Sequence, residues 1–319
     1  MKHVFSSKNF NNHHEMSNSA TNWEHHCSYK LLPHAYEGEH HVIALPHSQL
    51  SYSHRRGGFM HDAFSPPNAI SIAVIQECHE AACFDMFKLH PGMVLFFDNR
   101  QAFNFMSKGE IKVAIISMPP DLCHAFGLNI ETYFGHYVED TDGAVSSLFN
   151  TVLKSHLDPE HSINEQKIED TFISLLSSLI QDAQIKDVKL TKGEFIALKI
   201  RDQVYHHMDG KVNINAFAKE YKVSDQTLQN AFKSLFGFTP KQFLMRLKLN
   251  LVHHDLQKYY PKTITVQAIA SKWGFVHMGR FAKAYTELFS EKPSETLIKE
   301  KLLEENMTTE CVSRKDEIT

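Results

Sequence analysis

The chain has 319 residues, of which 42% are hydrophobic, and its 33 Lys and Arg against 37 Asp and Glu give a formal net charge of -4. This length predicts two domains, because single hydrophobic cores stop growing at about 250 to 300 residues. No apolar run reaches the roughly 18 residues of a membrane span, and the start lacks the apolar centre of a signal peptide, so we expect a cytoplasmic protein without a membrane partner.

The amino-terminal part of the chain is predicted to be an arm followed by β-strands. Residues 1–22 are rich in Asn, Ser and His without apolar periodicity, which indicates a mostly disordered arm, with an arm that folds onto the following domain as the alternative. From about residue 29 to 118, the apolar runs HVIALP, AISIAVIQ, MVLFFD and KVAIISMPP alternate with turn-forming segments. Regularly spaced runs of this kind predict an antiparallel barrel or sandwich.

Two helices are predicted between about residues 121 and 186. The second of them, NEQKIEDTFISLLSSLIQDA, has apolar residues at helical spacing. These residues are Ile168, Phe172, Leu175, Leu176 and Leu179. Such a stripe packs either on the chain's own strands or on a second copy, so a homodimer through residues 145–182 is one of two alternatives.

A polar, Lys-rich segment at about residues 183–192 is the predicted boundary between the two domains. We therefore expect one domain over residues 23–186 and another over residues 187–300. The second begins with a helix that carries Ile196, Ile200 and Val204 on one face. After residue 300 the apolar pattern is lost, and residues 301–319 are predicted to be a disordered tail.

The carboxy-terminal part contains one sequence pattern twice. Phe217, Ala218 and Tyr221 match Ile269, Ala270 and Trp273 at an offset of 52 residues. After the turn the offset is 53, and Phe232, Phe236, Pro240 and Leu244 match Tyr285, Phe289, Pro293 and Leu297. Each copy has a short helix, a turn such as that at Gly274, and a second helix with one apolar face, which predicts two helix-turn-helix units.

A single helix is predicted to join the two units. Thr239 is a favourable N-cap and Pro240 suits the first helical position, so a helix should begin there and continue to about Gln257. Its roughly 18 residues give a rod of about 27 Å. This rod could hold the second helix of one unit about 34 Å from the second helix of the other, which is one turn of B-DNA. Thr265 is then expected to cap the first helix of the second unit.

Charge is divided unevenly along the chain. Residues 191–300 hold 17 Lys and Arg against 10 Asp and Glu, a net +7, and the remaining residues are net -11. A basic segment beside an acidic one indicates that the carboxy-terminal part binds double-stranded DNA.

The second helix of each unit provides the candidate DNA-binding residues. In the first unit Leu228, Phe232 and Leu235 are predicted to face the core, which leaves a polar face suited to bonding adenine. In the second unit the outward residues suit phosphate anchoring and contact with thymine methyl groups. The predicted DNA-binding residues are Gln226, Gln229, Asn230, Lys233, His277, Met278, Arg280, Ala282 and Lys283.

These motifs resemble the AraC/XylS family of bacterial transcription regulators. The resemblance covers about residues 191 to 299 and rests on the run from Ser224 to Phe232, on Thr239-Pro240, on Gly274-Phe275 and on Pro293. The stretches VSDQTLQNAF and WGFVHMGRFA are most similar to the branch that contains the ethanolamine-operon regulator.

The resemblance implies an α+β protein in which a cupin-like β-barrel sensor domain, with following helices, precedes an all-α domain of two helix-turn-helix units and a linker helix. It further implies a ligand-responsive activator that contacts RNA polymerase and an effector of unknown identity. Base contacts are implied for Gln226, Gln229, Asn230, Met278, Ala282 and Lys283. Many relatives carry Arg where this chain has Asn230, so the preferred DNA site does not follow from the resemblance.

The histidine content indicates an alternative to this interpretation. Of the 22 histidines, 17 lie in the first 161 residues, which raises a metal-sensing regulator as an alternative. The densest group, Cys78-His79-Glu80 with Cys83, has neighbours that alternate across a strand, and no HxH or HExxH motif is present. We expect no metal, no cofactor and no disulfide.

The chain also lacks a GxSxG motif, a phosphate-binding glycine loop and a recognisable catalytic triad, so we expect no enzyme. A DNA-binding protein without a sensing role is the remaining alternative. The large acidic domain argues against it.

Overall fold

The computed structural model describes residues 5–10, 23–158, 164–182, 184–206, 214–258 and 264–298. The strands are β1 (Phe5–Phe10), β2 (Glu24–Lys30), β3 (Glu37–Ala44), β4 (Gln49–Arg56), β5 (Phe59–Phe64), β6 (Ile70–Cys78), β7 (Ala82–Phe84), β8 (Phe87–Lys88), β9 (Met93–Asp98), β10 (Phe103–Ser107), β11 (Ile111–Met118), β12 (His136–Glu139) and β13 (Lys186–Asp187). The helices are α1 (Pro120–Ala125), α2 (Ala144–Leu157), α3 (Glu165–Asp182), α4 (Lys192–His206), α5 (Ile214–Glu220), α6 (Asp225–Phe236), α7 (Pro240–Gln257), α8 (Val266–Lys272) and α9 (Met278–Phe289).

The strands form two antiparallel sheets. The larger has the order β1-β3-β4-β11-β6-β9-β12-β13, and the smaller has the order β2-β5-β10-β7-β8. Within the described ranges no strand pairing joins one sheet to the other, so they form an open sandwich. The closed cupin-like barrel that the family resemblance implied is therefore wrong, and the sandwich is the other of the two alternatives that the apolar runs predicted. Such runs specify strands but not the pairing of edge strands that closes a barrel.

The sandwich has a core on each side of the larger sheet. Its inner face packs on the smaller sheet through residues such as Ile75, Leu95 and Phe105. Its outer face is covered by α2 and α3, whose Phe149 and Phe172 rings lie 4.6 Å apart. The apolar stripe of α3 belongs to this second core, which supports the intramolecular alternative for that stripe.

Part of the amino-terminal arm folds onto the sandwich, which is the alternative to a disordered arm. Residues 5–10 form β1, which pairs with β3 over its whole length, from Phe5 opposite Ile43 to Phe10 opposite Gly38. Phe10 is buried in the core between the sheets. Burial of this ring and the backbone pairing together outweigh the polar Ser-Ser-Lys-Asn stretch before it. The rest of the arm and the predicted tail at 301–319 lie outside the described residues.

The predicted linker is also attached to the sandwich. Strand β13 lies within the predicted linker and pairs with β12 of the sandwich, with Asp187 opposite His136. The two side chains lie 2.7 Å apart, and Lys186 is 3.2 Å from Glu139.

The carboxy-terminal helices build two small cores around α7. The first unit (α5 and α6) packs with α4 on the amino-terminal half of α7, through Phe243 and Leu247. The second unit (α8 and α9) packs on its carboxy-terminal half, through Val252 and Leu256. α7 begins and ends where the sequence predicted. Among the described helices, none combines the length and apolar character needed to cross a lipid bilayer.

The first unit also packs on the outer face of the smaller sheet. Its core includes Tyr29, Leu31, Met60, Cys83 and Met106 from that sheet and its neighbouring turn. Beside this core, Asn250 of α7 accepts a hydrogen bond from the Lys30 amide and donates one to the Lys30 carbonyl, both at 2.7 Å. The sandwich and the first unit therefore share one hydrophobic core.

Candidate DNA-binding surface

The turns of the two helix-turn-helix units use the same backbone conformation with different residues. In the second unit Gly274 has a φ of 81°, in the left-handed region that glycine adopts without a steric penalty. In the first unit the equivalent residue is Lys222, with a φ of 51°. The turn predicted from Gly274 is confirmed. In the first unit the same turn places a residue that has a side chain in the left-handed conformation, which is sterically unfavourable.

The second helices, α6 and α9, also end in the same way. α6 is capped at its start by Ser224, whose hydroxyl accepts from the Thr227 amide, and it ends at Gly237 with a φ of 68°. α9 ends at Ser290 with a φ of 61°. A side chain at Gly237 would lie 2.5 Å from the Lys108 side chain of the sandwich. Because the lysine side chain is flexible and can move away, it is the positive φ that favours glycine at this position.

The buried face of α6 is the one that the sequence predicted. Leu228, Phe232 and Leu235 are all buried in the core shared with α4 and α7. The opposite face is exposed to solvent. It carries Gln226, Gln229, Asn230 and Lys233.

Two of these exposed side chains are bonded to each other. The Gln226 amide nitrogen donates to the Asn230 side-chain oxygen at 2.8 Å, one helical turn away. This bond leaves an amide oxygen on Gln226 and an amide nitrogen on Asn230 for other partners. The pair thus offers one acceptor and one donor, which is the combination that bonds the N6 and N7 atoms of adenine.

The corresponding face of α9 is only partly polar. His277, Arg280 and Lys283 are exposed, and the Lys283 ammonium lies 3.9 Å from the Glu287 carboxylate on the same helix. Met278 and Ala282 are half-buried because they pack against the core of the second unit. Two of the five residues predicted on this helix therefore have reduced access to a partner.

The turn before α9 exposes an apolar residue that sequence analysis did not select. Val276 is 82% exposed, immediately before His277. An exposed apolar side chain at the start of a recognition helix can contact a thymine methyl group. The sequence could have indicated this residue, because Val276 is a β-branched residue close to the turn glycine and belongs to the apolar face of neither helix.

The second unit is held to α7 by a buried carboxylate. Asp255 accepts hydrogen bonds from the Lys272 ammonium at 2.7 Å and from the Trp273 indole at 2.9 Å. Burial alone raises the pKa of Asp255, but these two bonds hold that pKa below its usual value. A second link joins His253 of α7 to the Tyr285 hydroxyl of α9 at 2.6 Å.

The histidine-rich and cysteine-rich segments do not converge on a common point within the described ranges. No group of three or more His, Cys, Asp or Glu side chains in these ranges is placed to hold a metal ion. Cys83 is buried beneath the first unit, whereas Cys78 lies in the neighbourhood of the inter-sheet core.

Comparison with known proteins identifies the carboxy-terminal part of the chain. Residues 217–298 match the family model described as a helix-turn-helix domain. The matched residues begin in α5 and include both units. Helix α4 lies before the matched residues, but its Ile196 and Ile200 belong to the core of the first unit.

The helix-turn-helix domain is similar to parts of transcription regulators. The XylDLEGF operon transcriptional activator of Pseudomonas putida is 24% identical over 165 residues, which are 51% of this chain and 50% of that protein. The probable thc operon regulatory protein of Rhodococcus erythropolis is 33% identical over 96 residues, 30% of this chain and 29% of that protein. The chain thus spans about half the length of the first relative.

Among solved structures, the AraC-like transcriptional activator CuxR aligns with 84% of this chain and 100% of its own, at 12% identity and a TM-score of 0.44.

Proposed function

We propose that this chain is a sequence-specific DNA-binding transcription regulator that inserts α6 and α9 into successive major grooves. The observation that supports this most directly is the attachment of both helix-turn-helix units to one rigid helix, α7, through two separate cores. A shared 18-residue helix fixes the distance between the two units. The net charge of +7 over residues 191–300 would attract the DNA backbone.

The two helices are proposed to have different roles. Gln226 and Asn230, already bonded to each other, would present an acceptor and a donor to one adenine, and Gln229 would contact a neighbouring base. On α9, Arg280 and Lys283 would anchor phosphates, while Val276 and the exposed part of Met278 would contact thymine methyl groups. The first unit would thus supply most of the sequence preference.

The family resemblance suggests which type of regulator this chain is and what its two parts do. We propose a regulator of the AraC/XylS type, cytoplasmic, in which residues 23–186 respond to a small-molecule effector and residues 187–300 bind DNA. Activation through contact with RNA polymerase is part of this proposal and is suggested by the description of the Pseudomonas putida relative as an activator. An effector would act by binding one arrangement of the two parts more tightly than another.

Selection of binding sites from a random DNA library by the purified full chain tests this function. The expected result is one enriched sequence with two short blocks about one helical turn apart. Gln229→Ala should relax the preference at one base pair by about 1 to 3 kcal/mol, because it removes one direct base contact.

The matched control is Gln166→Ala, which removes an exposed glutamine from α3 of the sandwich and should select the wild-type sequence. Recovery of no enriched sequence by the wild-type chain would contradict the proposed function.

A further inference from the structure

A buried network of hydrogen bonds joins α7 to α9 and to the segment that follows α9. At its centre the Tyr285 hydroxyl lies 2.6 Å from Nδ1 of His253 and 2.8 Å from the Thr296 hydroxyl. The Thr296 hydroxyl in turn donates to the Glu291 carboxylate at 2.6 Å. Tyr285 and Thr296 are 0% and 2% exposed. We call these four side chains the α7–α9 network.

The protons of the network can be placed from its charged end. A carboxylate only accepts, so the single proton of the Thr296 hydroxyl points to Glu291, while the Lys292 carbonyl is 3.5 Å away. Thr296 must then accept from the Tyr285 hydroxyl, whose own proton is thereby used. Burial raises the pKa of Tyr285, so this hydroxyl keeps its proton at neutral pH. It follows that His253 donates from Nδ1 and that its neutral ring carries the proton there.

The network restrains the rotation of α9 about its own axis. Apolar contacts, such as those of Phe281 in the core of the second unit, have no preferred direction and tolerate small shifts. Hydrogen bonds weaken steeply when the donor turns away from the acceptor. The Tyr285 hydroxyl must reach α7 on one side and Thr296 on the other, and the ring of His253 is also stacked on Phe289 at 4.1 Å. One orientation of α9 therefore satisfies the network.

The sandwich reaches the network through Lys30, the last residue of β2. Its backbone amide and carbonyl are both bonded to the Asn250 side chain at 2.7 Å. Asn250 lies three residues before His253, so the two project from the same face of α7. The Lys30 side chain is half-buried. Burial lowers its pKa, and the Glu291 carboxylate opposes that shift by attracting the ammonium group. Lys30 therefore supplies a positive charge to the acidic end of the network.

Both helix-turn-helix units are thereby attached to the sandwich. The first unit shares a hydrophobic core with the smaller sheet, and the second has the charge contact between Lys30 and Glu291. A DNA site with one extra base pair between its two blocks moves the second block by about 3.4 Å and about 35° around the duplex. Helix α9 can follow that block only by moving relative to α6, which disrupts the α7–α9 network.

We propose that Glu291 and Thr296 are positioning residues that hold α9 in the orientation needed for one spacing of the two DNA blocks, and that Lys30 of the sandwich holds Glu291 in place. These residues act through Tyr285 and His253 and not by contact with DNA. The spacing preference is thus set outside the two recognition faces, and in part by the other domain. This role rests on the proposed regulatory function, whereas the network and the direction of its hydrogen bonds do not.

Binding of the full chain to its selected site, and to the same site with one base pair inserted between the blocks, tests the role in spacing. The measured quantity is the ratio of the two dissociation constants, which does not depend on the folded fraction of a preparation. Thr296→Val should lower this ratio by about tenfold, because binding to the longer site then no longer breaks a hydrogen bond to a charged group. Lys30→Gln should lower it by about two- to fivefold, as expected for a partly exposed ion pair. The sequence of the first block should stay the same, because α6 is unaltered.

Two variants serve as matched controls. Thr171→Val removes an exposed threonine hydroxyl from α3 of the sandwich, and Glu295→Gln removes an exposed carboxylate four residues after Glu291. Glu295 accepts from the Lys292 amide at 2.7 Å, a bond that glutamine can keep. Both controls should show the wild-type ratio. Glu291→Gln should lower the ratio as Lys30→Gln does, because its charge is lost while an acceptor oxygen remains.

A measurement without DNA tests the direction of the network. Nitrogen NMR chemical shifts of an imidazole ring show which nitrogen carries the proton, and the variant His253→Gln identifies the signals of His253. The wild-type ring should carry its proton on Nδ1. In Thr296→Val the Tyr285 hydroxyl loses its acceptor and turns to His253, so the proton of the ring should move to Nε2. Thr171→Val should leave the spectrum unchanged.

A wild-type His253 ring with its proton on Nε2 would overturn the proposed network, and unchanged ratios in Thr296→Val and Glu291→Gln would overturn the role in spacing. If Thr296→Val does not fold, the wild-type spectrum and Glu291→Gln decide. A chain that selects no two-block site would refute the regulatory function, and the spectrum would still decide whether the network exists. Selection of a two-block site with ratios equal to those of the controls would refute only the positioning role.

Discussion

At the scale of single residues, the two helix-turn-helix units have the same two left-handed backbone positions but place glycine at different ones. The first unit has Lys222 at its turn and Gly237 at the end of its second helix, while the second unit has Gly274 and Ser290 at the equivalent positions. All four residues have a positive φ. Each unit therefore contains one left-handed residue that bears a side chain.

Replacement of Lys222 by glycine is predicted to stabilise the domain. A left-handed residue with a Cβ atom costs about 1 to 2 kcal/mol, and the greater flexibility of glycine in the unfolded chain offsets about 0.5 to 1 kcal/mol. Lys222→Gly should therefore raise the free energy of unfolding by about 0.5 to 1 kcal/mol in urea titrations.

The converse substitution, Gly274→Ala, should lower the free energy of unfolding by about 1 to 2 kcal/mol. The same sign of change in both variants would show that the turn strain is absent.

At the scale of elements, some boundaries follow from local chemistry and others do not. Thr239 and Pro240 specify the start of α7 because its capping box and proline act within one turn, and the sequence predicted this helix correctly. The helical spacing of Leu228, Phe232 and Leu235 likewise specified the buried face of α6.

Other elements depend on residues distant in the chain. β1 is stabilised by pairing with β3, which its own Ser-Ser-Lys-Asn stretch does not encode. β4 was missed because Ser51, Ser53 and Arg55 face inward, so this strand contains none of the apolar runs from which we predicted strands.

The joint between α7 and α8 gives a prediction about pH. The pKa of Asp255 is lower in the folded chain than in the unfolded one, so its contribution to stability is present above the unfolded pKa of about 3.9 and is lost as the pH falls through the folded pKa. Asp255→Asn should therefore lower the free energy of unfolding at pH 7 by about 1 to 3 kcal/mol. The difference from the wild type should shrink below about pH 4 in denaturant titrations.

Asp225→Asn is the control for this experiment, because Asp225 is exposed on the first turn of α6. It should change stability by less than about 1 kcal/mol. A pH-independent loss in Asp255→Asn would contradict the assigned ionisation.

At the scale of the whole molecule, the sandwich and the first unit are packed as one body. Their shared core places Cys83 of the smaller sheet beside Phe232 and Phe236 of α6, and Arg246 of α7 donates to the Leu31 carbonyl at 2.6 Å. The charge distribution and the polar linker predicted two separate domains and did not indicate this contact. The apolar residues on the contacting surfaces of the sandwich and of the first unit could equally have packed within their own domains.

Asn250 is predicted to couple the unfolding of the two parts. Its side chain satisfies both polar groups of the Lys30 backbone, so Asn250→Ala would leave a donor and an acceptor without partners. Scanning calorimetry should show one transition for the wild type and two for the variant. Asn230→Ala, which changes an exposed side chain of α6, should retain a single transition, and two transitions in the wild type would contradict the coupling.

Hydroxyl-radical footprinting of the selected DNA site tests the central claim most directly. We expect two protected patches on one face of the duplex, about 34 Å apart, which is one helical turn. Lys283→Ala should weaken binding at all sequences and reduce its salt dependence, because it removes a phosphate contact, whereas Lys154→Ala on α2 should leave both unchanged. A single protected patch, or patches on opposite faces of the duplex, would contradict two helices held in register by α7.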